Sequence, residues 1–184
     1  LPASWTQPGH PHGFHSFIYF GEVGIGRIIE DPNGDLGRLK AATTPFPTPL
    51  RRAIQERFGW EARFSLQTAA KAADRGDAVY VVGCMFRAIA CLVQVLFALN
   101  EQPFTNEKGS VRAVDGLEHR PDRFAERVEA TLSLVTNGPK ALRAALEALD
   151  QVATETDGLT RSAEAMLHTD RELMAPGTAP DKLS

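Results

Sequence analysis

The chain has 184 residues, 43% of them hydrophobic, with a formal net charge of −3 and a pI near 6.0. That is apolar material enough for one domain of ordinary size with a real core. The mildly acidic balance excludes the basic footprint of a nucleic-acid-binding protein.

Leu1 to Gly13 is rich in proline, glycine and histidine and reads as a loop or loose arm. It has neither the basic region nor the apolar run of a signal peptide. It also lacks an initiator methionine, and the expectation is either a fragment or a gene product whose start was placed late, with the missing part upstream. His10, His12 and His15 invite a metal reading. No cysteine or nearby carboxylate completes a site, so solvated loop histidines are the alternative.

Phe14 to Phe20 and Val23 to Ile29 are rich in β-branched and aromatic residues and predict two short strands joined at Gly21-Glu22. Gly21, Gly24 and Gly26 do not make a dinucleotide loop: the third glycine of that fingerprint falls at Ile29, and no helix opens there. Asp31 to Asp35 is a turn that imitates the start of a calcium loop. It fails as one, because Leu36 and Ala42 stand where glycine and a bidentate glutamate are needed. Leu36 to Ala42 reads as a short helix. Thr44 to Pro49, with three prolines, is a linker and a domain boundary.

Leu50 to Arg75 predicts a helix with Leu50, Ile54, Phe58 and Leu66 among its apolar positions. Glu61 and Arg63 fall on different faces of it. Either Arg63 turns inward or it stays solvated. Gly76 ends the helix and Asp77 is placed to cap the next, Ala78 to Leu99. Nearly every residue there is apolar, which raises the question of a membrane span. Arg87 at its centre, with Tyr80 and Gln94 on the same stripe, argues for a helix buried in protein instead. A buried charge needs a partner; Glu61 is the candidate if Arg87 is a core arginine, and a ligand is the alternative. Cys84 and Cys91 lie two turns apart, about 10.5 Å of rise, beyond the roughly 7 Å of disulfide reach. They are expected to be reduced, which suits a cytoplasmic protein.

Asn100 and Pro103 end the long helix. Thr105 predicts the cap of a short helix through Val114, with Asn106, Glu107 and Lys108 in its first turn. A lysine there opposes the helix dipole. Beside free amides it makes an anion site suited to phosphate; a surface lysine paired with Glu107 or Glu101 is the alternative. Pro121 to Thr136, Pro139 to Thr154 and Leu159 to Met174 predict three more helices, with Asp157-Gly158 as a kink or break. The spacing of Arg161 and His168 matches that of certain small helical ribonucleases. Ala175 to Ser184 is expected to be a disordered tail.

Several stretches occur together in one order. They are Ile28 to Gly34, Trp60-Glu61-Ala62-Arg63-Phe64, Gly76-Asp77, Gly83-Cys84-Met85-Phe86-Arg87, and Leu99-Asn100 followed by Phe104-Thr105-Asn106-Glu107-Lys108-Gly109. Over roughly Phe14 to Thr136 the chain resembles the C-terminal part of bacterial nucleotidyltransferase-domain proteins. These are relatives of the antibiotic nucleotidyltransferases in the DNA polymerase β superfamily. The resemblance implies a mainly α fold: a helical bundle over 46–174 with a small N-terminal β appendage, residues 1–45, as the tail of an α/β catalytic domain. It implies an NTP substrate with Mg²⁺ and a small-molecule or protein hydroxyl acceptor, with no nucleic acid and no membrane. It assigns Lys108 to phosphate or substrate contact, with Asn106 and Glu107 shaping the polar knuckle, and Arg87, Glu61 and Arg63 around the binding region. The family's Gly-Ser and Asp-x-Asp signature, which holds the metal, is missing from this sequence. The chain alone is therefore expected to be inactive. The rival expectation is a non-catalytic helical binding or dimerisation module, of the kind found in toxin–antitoxin pairs, and a homodimer fits it.

Overall fold

The computed structural model describes residues 17–136 and 138–174, with side chains as far as Met166. Among these residues every regular element is a helix and there is no strand. The helices are α1 (Ile18–Ile25), α2 (Asp35–Ala41), α3 (Thr48–Ala73), α4 (Ala78–Leu99), α5 (Ser110–Ala113), α6 (Phe124–Ser133) and α7 (Pro139–Met174), with a 3-10 turn at Val114–Gly116 after α5. The histidines at 10, 12 and 15 and the tail from Ala175 lie outside the described residues, as does the His168 side chain.

The core is built around α4, as its apolar length requires. From Ala88 to Leu96 every residue of α4 is buried. The antiparallel neighbour α3 covers one side and α7 another, while α5 and the 3-10 turn lie against its C-terminal half. α4 is long and apolar enough to cross a membrane, yet 67% of its most apolar window is buried inside the bundle. Burial in protein accounts for its composition without lipid.

The α3–α4 hairpin closes as the sequence indicates. Gly76 has φ +72°, and its N–H donates to the Ala73 carbonyl at 3.0 Å while the Asp77 N–H reaches the Ala72 carbonyl at 3.1 Å. This paired closure satisfies the last carbonyls of α3 and needs the left-handed conformation that glycine adopts freely. Asp77 then accepts from the Tyr80 N–H at 3.1 Å, capping α4. At the other end of α4 the same closure recurs, with Gln102 N–H donating to the Phe97 carbonyl. Here the left-handed residue is Glu101, φ 54°, held by an ion pair to the nearly buried Arg51 at 2.8 Å.

Four expectations are corrected. Among the described residues neither N-terminal strand forms: α1 runs across Ile18–Ile25, and Gly26 to Ile29 have no regular structure. A short apolar run does not distinguish strand from helix, and packing decides. Ile18 and Gly21, one turn apart, are buried together, and a Cβ on Gly21 would come within 2.7 Å of the Phe104 carbonyl oxygen. The glycines thus let α1 lie close against the bundle. Second, α5 begins only at Ser110. Asn106 Oδ1 accepts from the Lys108 N–H at 2.9 Å, and Gly109 has φ +72°. That side-chain turn followed by a left-handed residue prevents a helix from forming across Lys108. Third, α6 is shorter than the Pro121 to Thr136 expected, starting after Arg123 at φ 48° and ending at Ser133. Fourth, α7 passes through Asp157-Gly158 without a break. A mid-helix glycine costs about 1 kcal/mol relative to alanine. The packed face outweighs it, because it continues across this point: Val152, Ala153 and Thr156 are buried before it, and Leu159 and Ala163 pack against the core after it.

α7 is also held by charge. Arg127 of α6 makes a two-pronged contact with Glu155, both bonds 2.6 Å. These hydrogen bonds hold the Glu155 carboxyl below its usual range. Arg143 pairs with Asp74 at the end of α3.

Candidate functional site

The six residues singled out by sequence fall in three places. Glu61 and Arg87 meet as expected: Arg87 Nε donates to Glu61 Oε1 at 2.6 Å. Their burial is the reverse of the expectation, however. The arginine side chain is 56% exposed, while the carboxylate is 7% exposed and has Arg57 at 3.6 Å as a second cation. The half-apolar face of α4 leaves Arg87 at the rim, and Glu61 is the group that requires compensation. Arg87→Ala is expected to destabilise the fold by about 1 kcal/mol in urea unfolding, because the lost partner is solvent-screened and Arg57 remains. Adding Glu61→Gln to it should recover most of the loss, since no uncompensated charge is then left behind.

Arg63 turns inward, but toward α7. It donates to Asp157 at 2.6 and 2.8 Å, to Asp150 at 2.7 Å and to Thr154 at 3.1 Å. Every nitrogen is engaged with this one helix, which is the geometry of a structural clamp.

Asn106, Glu107 and Lys108 form the knuckle beyond α4. Asn106 and Lys108 are exposed and Glu107 is half-buried. Lys108 makes no ion pair among the described residues, so its ammonium is free to meet an anion. About 20 Å of helix separates Arg87 from Asn100, so the Glu61–Arg87 pair and the knuckle do not share one pocket.

A cavity of about 400 Å³ is lined on one side by Phe20, Gly24 and Ile25 of α1 and on the other by Asn100 to Pro103, the segment that precedes the knuckle in the chain. The linker residues Thr43 to Phe46 complete it. Its size is in the range of small-ligand sites. Phe20 and Phe46 meet edge to face at 5.1 Å in its wall. Asn100 is fixed within it: its amide donates to the Leu96 and His119 carbonyls at 2.8 and 2.9 Å, and its oxygen accepts from the His119 N–H at 2.8 Å. Sequence reasoning missed this cavity. Its lining comes from three segments far apart in the chain, and the signals they carried, a linker at Thr44 to Pro49 and helix terminators at Asn100 and Pro103, gave no sign that they would meet.

The cysteines offer no activated nucleophile. Burial raises the Cys84 thiol pKa, against smaller opposing effects of Tyr80 and Arg87. Burial also raises that of Cys91, with Glu61 adding to it. Among the described residues no group of three metal-ligating side chains converges. A Mg²⁺ ion therefore has no ready-made seat among them. Comparison with known protein families, with curated proteins and with solved structures finds no match.

Proposed function

We propose that this chain is the helical, substrate-side part of a nucleotidyltransferase, which moves a nucleoside monophosphate from an NTP·Mg²⁺ complex to a hydroxyl acceptor. The observation that carries the reading is the shared corner of the bundle. Residues 100–103 wall the cavity, and the same strip of chain runs on into the knuckle that holds Lys108 outward. Phe17, the first described residue, lies against Phe104 with ring centroids 6.5 Å apart. In such a reaction the acceptor hydroxyl attacks the α-phosphorus and pyrophosphate departs. The role of this chain is to hold phosphate charge with Lys108 and to seat substrate in the cavity. The carboxylates of the catalytic signature are absent from the sequence, so binding is the activity expected of it.

The reading predicts that an NTP with Mg²⁺ stabilises the chain. At ten times the dissociation constant the gain is about 1.4 kcal/mol, a rise of roughly 3–5 °C in Tm for a domain of this size. A thermal-shift screen of ATP, GTP, CTP and UTP at millimolar concentration that moves Tm for none of them overturns it. The rival reading, a non-catalytic binding or dimerisation module, is supported by the exposed Val79, Val82 and Phe86 on one side of α4. It predicts no nucleotide effect at all.

A further inference from the structure

We infer that Arg57 of α3 and Arg87 of α4, anchored on Glu61, form an anion site that takes the phosphate group of a small aromatic ester. The inference does not rest on the nucleotide reading, because about 20 Å of helix separates this seam from the end of α4 that leads to the knuckle.

The buried Glu61 carboxylate is the centre of the arrangement. Arg87 Nε donates to its Oε1 at 2.6 Å, and Arg57 Nε lies 3.6 Å from its Oε2. Arg57 is one turn back along α3 and Arg87 comes from the facing helix, so the two guanidinium groups take opposite oxygens of a single carboxylate. Cys91, one turn beyond Arg87, marks the convergence: burial does most to raise its thiol pKa, and then Glu61, Arg87 and Arg57 all act on it. One arginine neutralises Glu61. The second leaves a net positive charge, and no further carboxylate pairs with either arginine among the described residues. Each arginine is turned to Glu61 by its Nε, and the terminal nitrogens make no other hydrogen bond among the described residues. Both side chains are more than half exposed, so those N–H groups are open to a ligand. A guanidinium presents its donors in a planar fork that matches the oxygens of a phosphate, and charge-assisted bonds of this kind are the strong ones.

Trp60 and Phe64 select the rest of the ligand. Arg57, Trp60 and Phe64 recur at i, i+3 and i+7 and so lie along one stripe of α3. Phe64 is also one turn on from Glu61. Both rings are exposed, and they stack at 5.0 Å with an interplanar angle of 11°. They give a flat apolar surface beside the arginines, on which a planar group carried by the phosphate can rest. A wholly apolar partner would cover two guanidinium groups without giving them an acceptor. A bare inorganic anion would leave both rings in water. An aromatic phosphate ester satisfies the charge and the rings together.

Titration of the full chain with inorganic phosphate and with phenyl phosphate at constant ionic strength tests the proposal. The readout is the NMR signals of the arginine Nε–H and tryptophan indole groups. Both compounds are expected to shift Arg57 and Arg87 and to saturate, and only phenyl phosphate should shift the Trp60 indole. Phenyl phosphate should bind about fivefold or more tighter than phosphate. Arg57→Gln should weaken both complexes about tenfold with unchanged helical circular dichroism, because Arg57 is exposed and Arg87 still meets Glu61. Trp60→Ala should bring phenyl phosphate to the affinity of phosphate and leave phosphate unchanged. Arg112→Gln, an exposed arginine of α5 paired with Glu129, should leave both unchanged. Shifts that rise without saturating, an Arg57→Gln affinity within about twofold of the wild type, or equal affinities of the two compounds for the wild type overturn the inference.

Discussion

Arg63→Ala is expected to lower the unfolding free energy by about 2–3 kcal/mol, the largest stability loss of any charged residue in the chain. The guanidinium makes four hydrogen bonds to three side chains of α7. Bonds to charged groups contribute about 1.5–3 kcal/mol where solvent is restricted, and exposed pairs contribute far less. The Arg63 and Asp157 side chains are 28% and 29% exposed, whereas Asp150 is 56% exposed. Most of the loss should therefore trace to Asp157, and Asp157→Asn alone should reproduce the greater part of it. Arg63→Lys should not restore the wild-type value, because one ammonium does not span three partners on two turns of helix. Urea unfolding of the four proteins checks this. A loss below about 0.5 kcal/mol for Arg63→Ala would mean that apolar packing alone holds α7 to α3.

The second large effect concerns affinity. Lys108→Ala is expected to weaken binding of NTP·Mg²⁺ about tenfold or more, equivalent to roughly 1.4 kcal/mol. An exposed ammonium meeting phosphate is a screened interaction, so wild-type affinity should fall with added salt and the variant's should fall less. Stability should not change, since the side chain is exposed and makes no ion pair among the described residues. Lys140→Ala, exposed near the start of α7, serves as the control and should leave affinity unchanged.

The helices of the bundle and the closure of the hairpin were legible in the sequence because their signals are local. A run of apolar residues bounded by Gly76-Asp77 and by Asn100 admits little besides a buried helix, and the Asp77 cap follows from one side chain and one amide. The Glu61–Arg87 pair was legible because a charge inside an apolar run demands a partner nearby. Which of the two would be buried was not, because that depends on how far along α4 the other helices extend. The N-terminal strands were misread for a related reason: Ile18 to Ile25 is too short for its period to distinguish strand from helix, and contact with Phe104 decided it. Lys108 was misplaced in a helix because Thr105 resembled a cap, while Asn106 and Gly109 formed a turn first. The cavity stayed invisible because tertiary contact alone brings α1, the linker and the end of α4 together.

The central claim is that the corner formed by the cavity and the knuckle receives a nucleotide. Calorimetric titration of the wild-type chain and Lys108→Ala with NTP·Mg²⁺ tests it most directly. The account predicts saturable binding by the wild type and an affinity about tenfold weaker for the variant. Equal affinity in the two proteins would remove Lys108 from the site, and the absence of binding by the wild type would contradict the account as a whole.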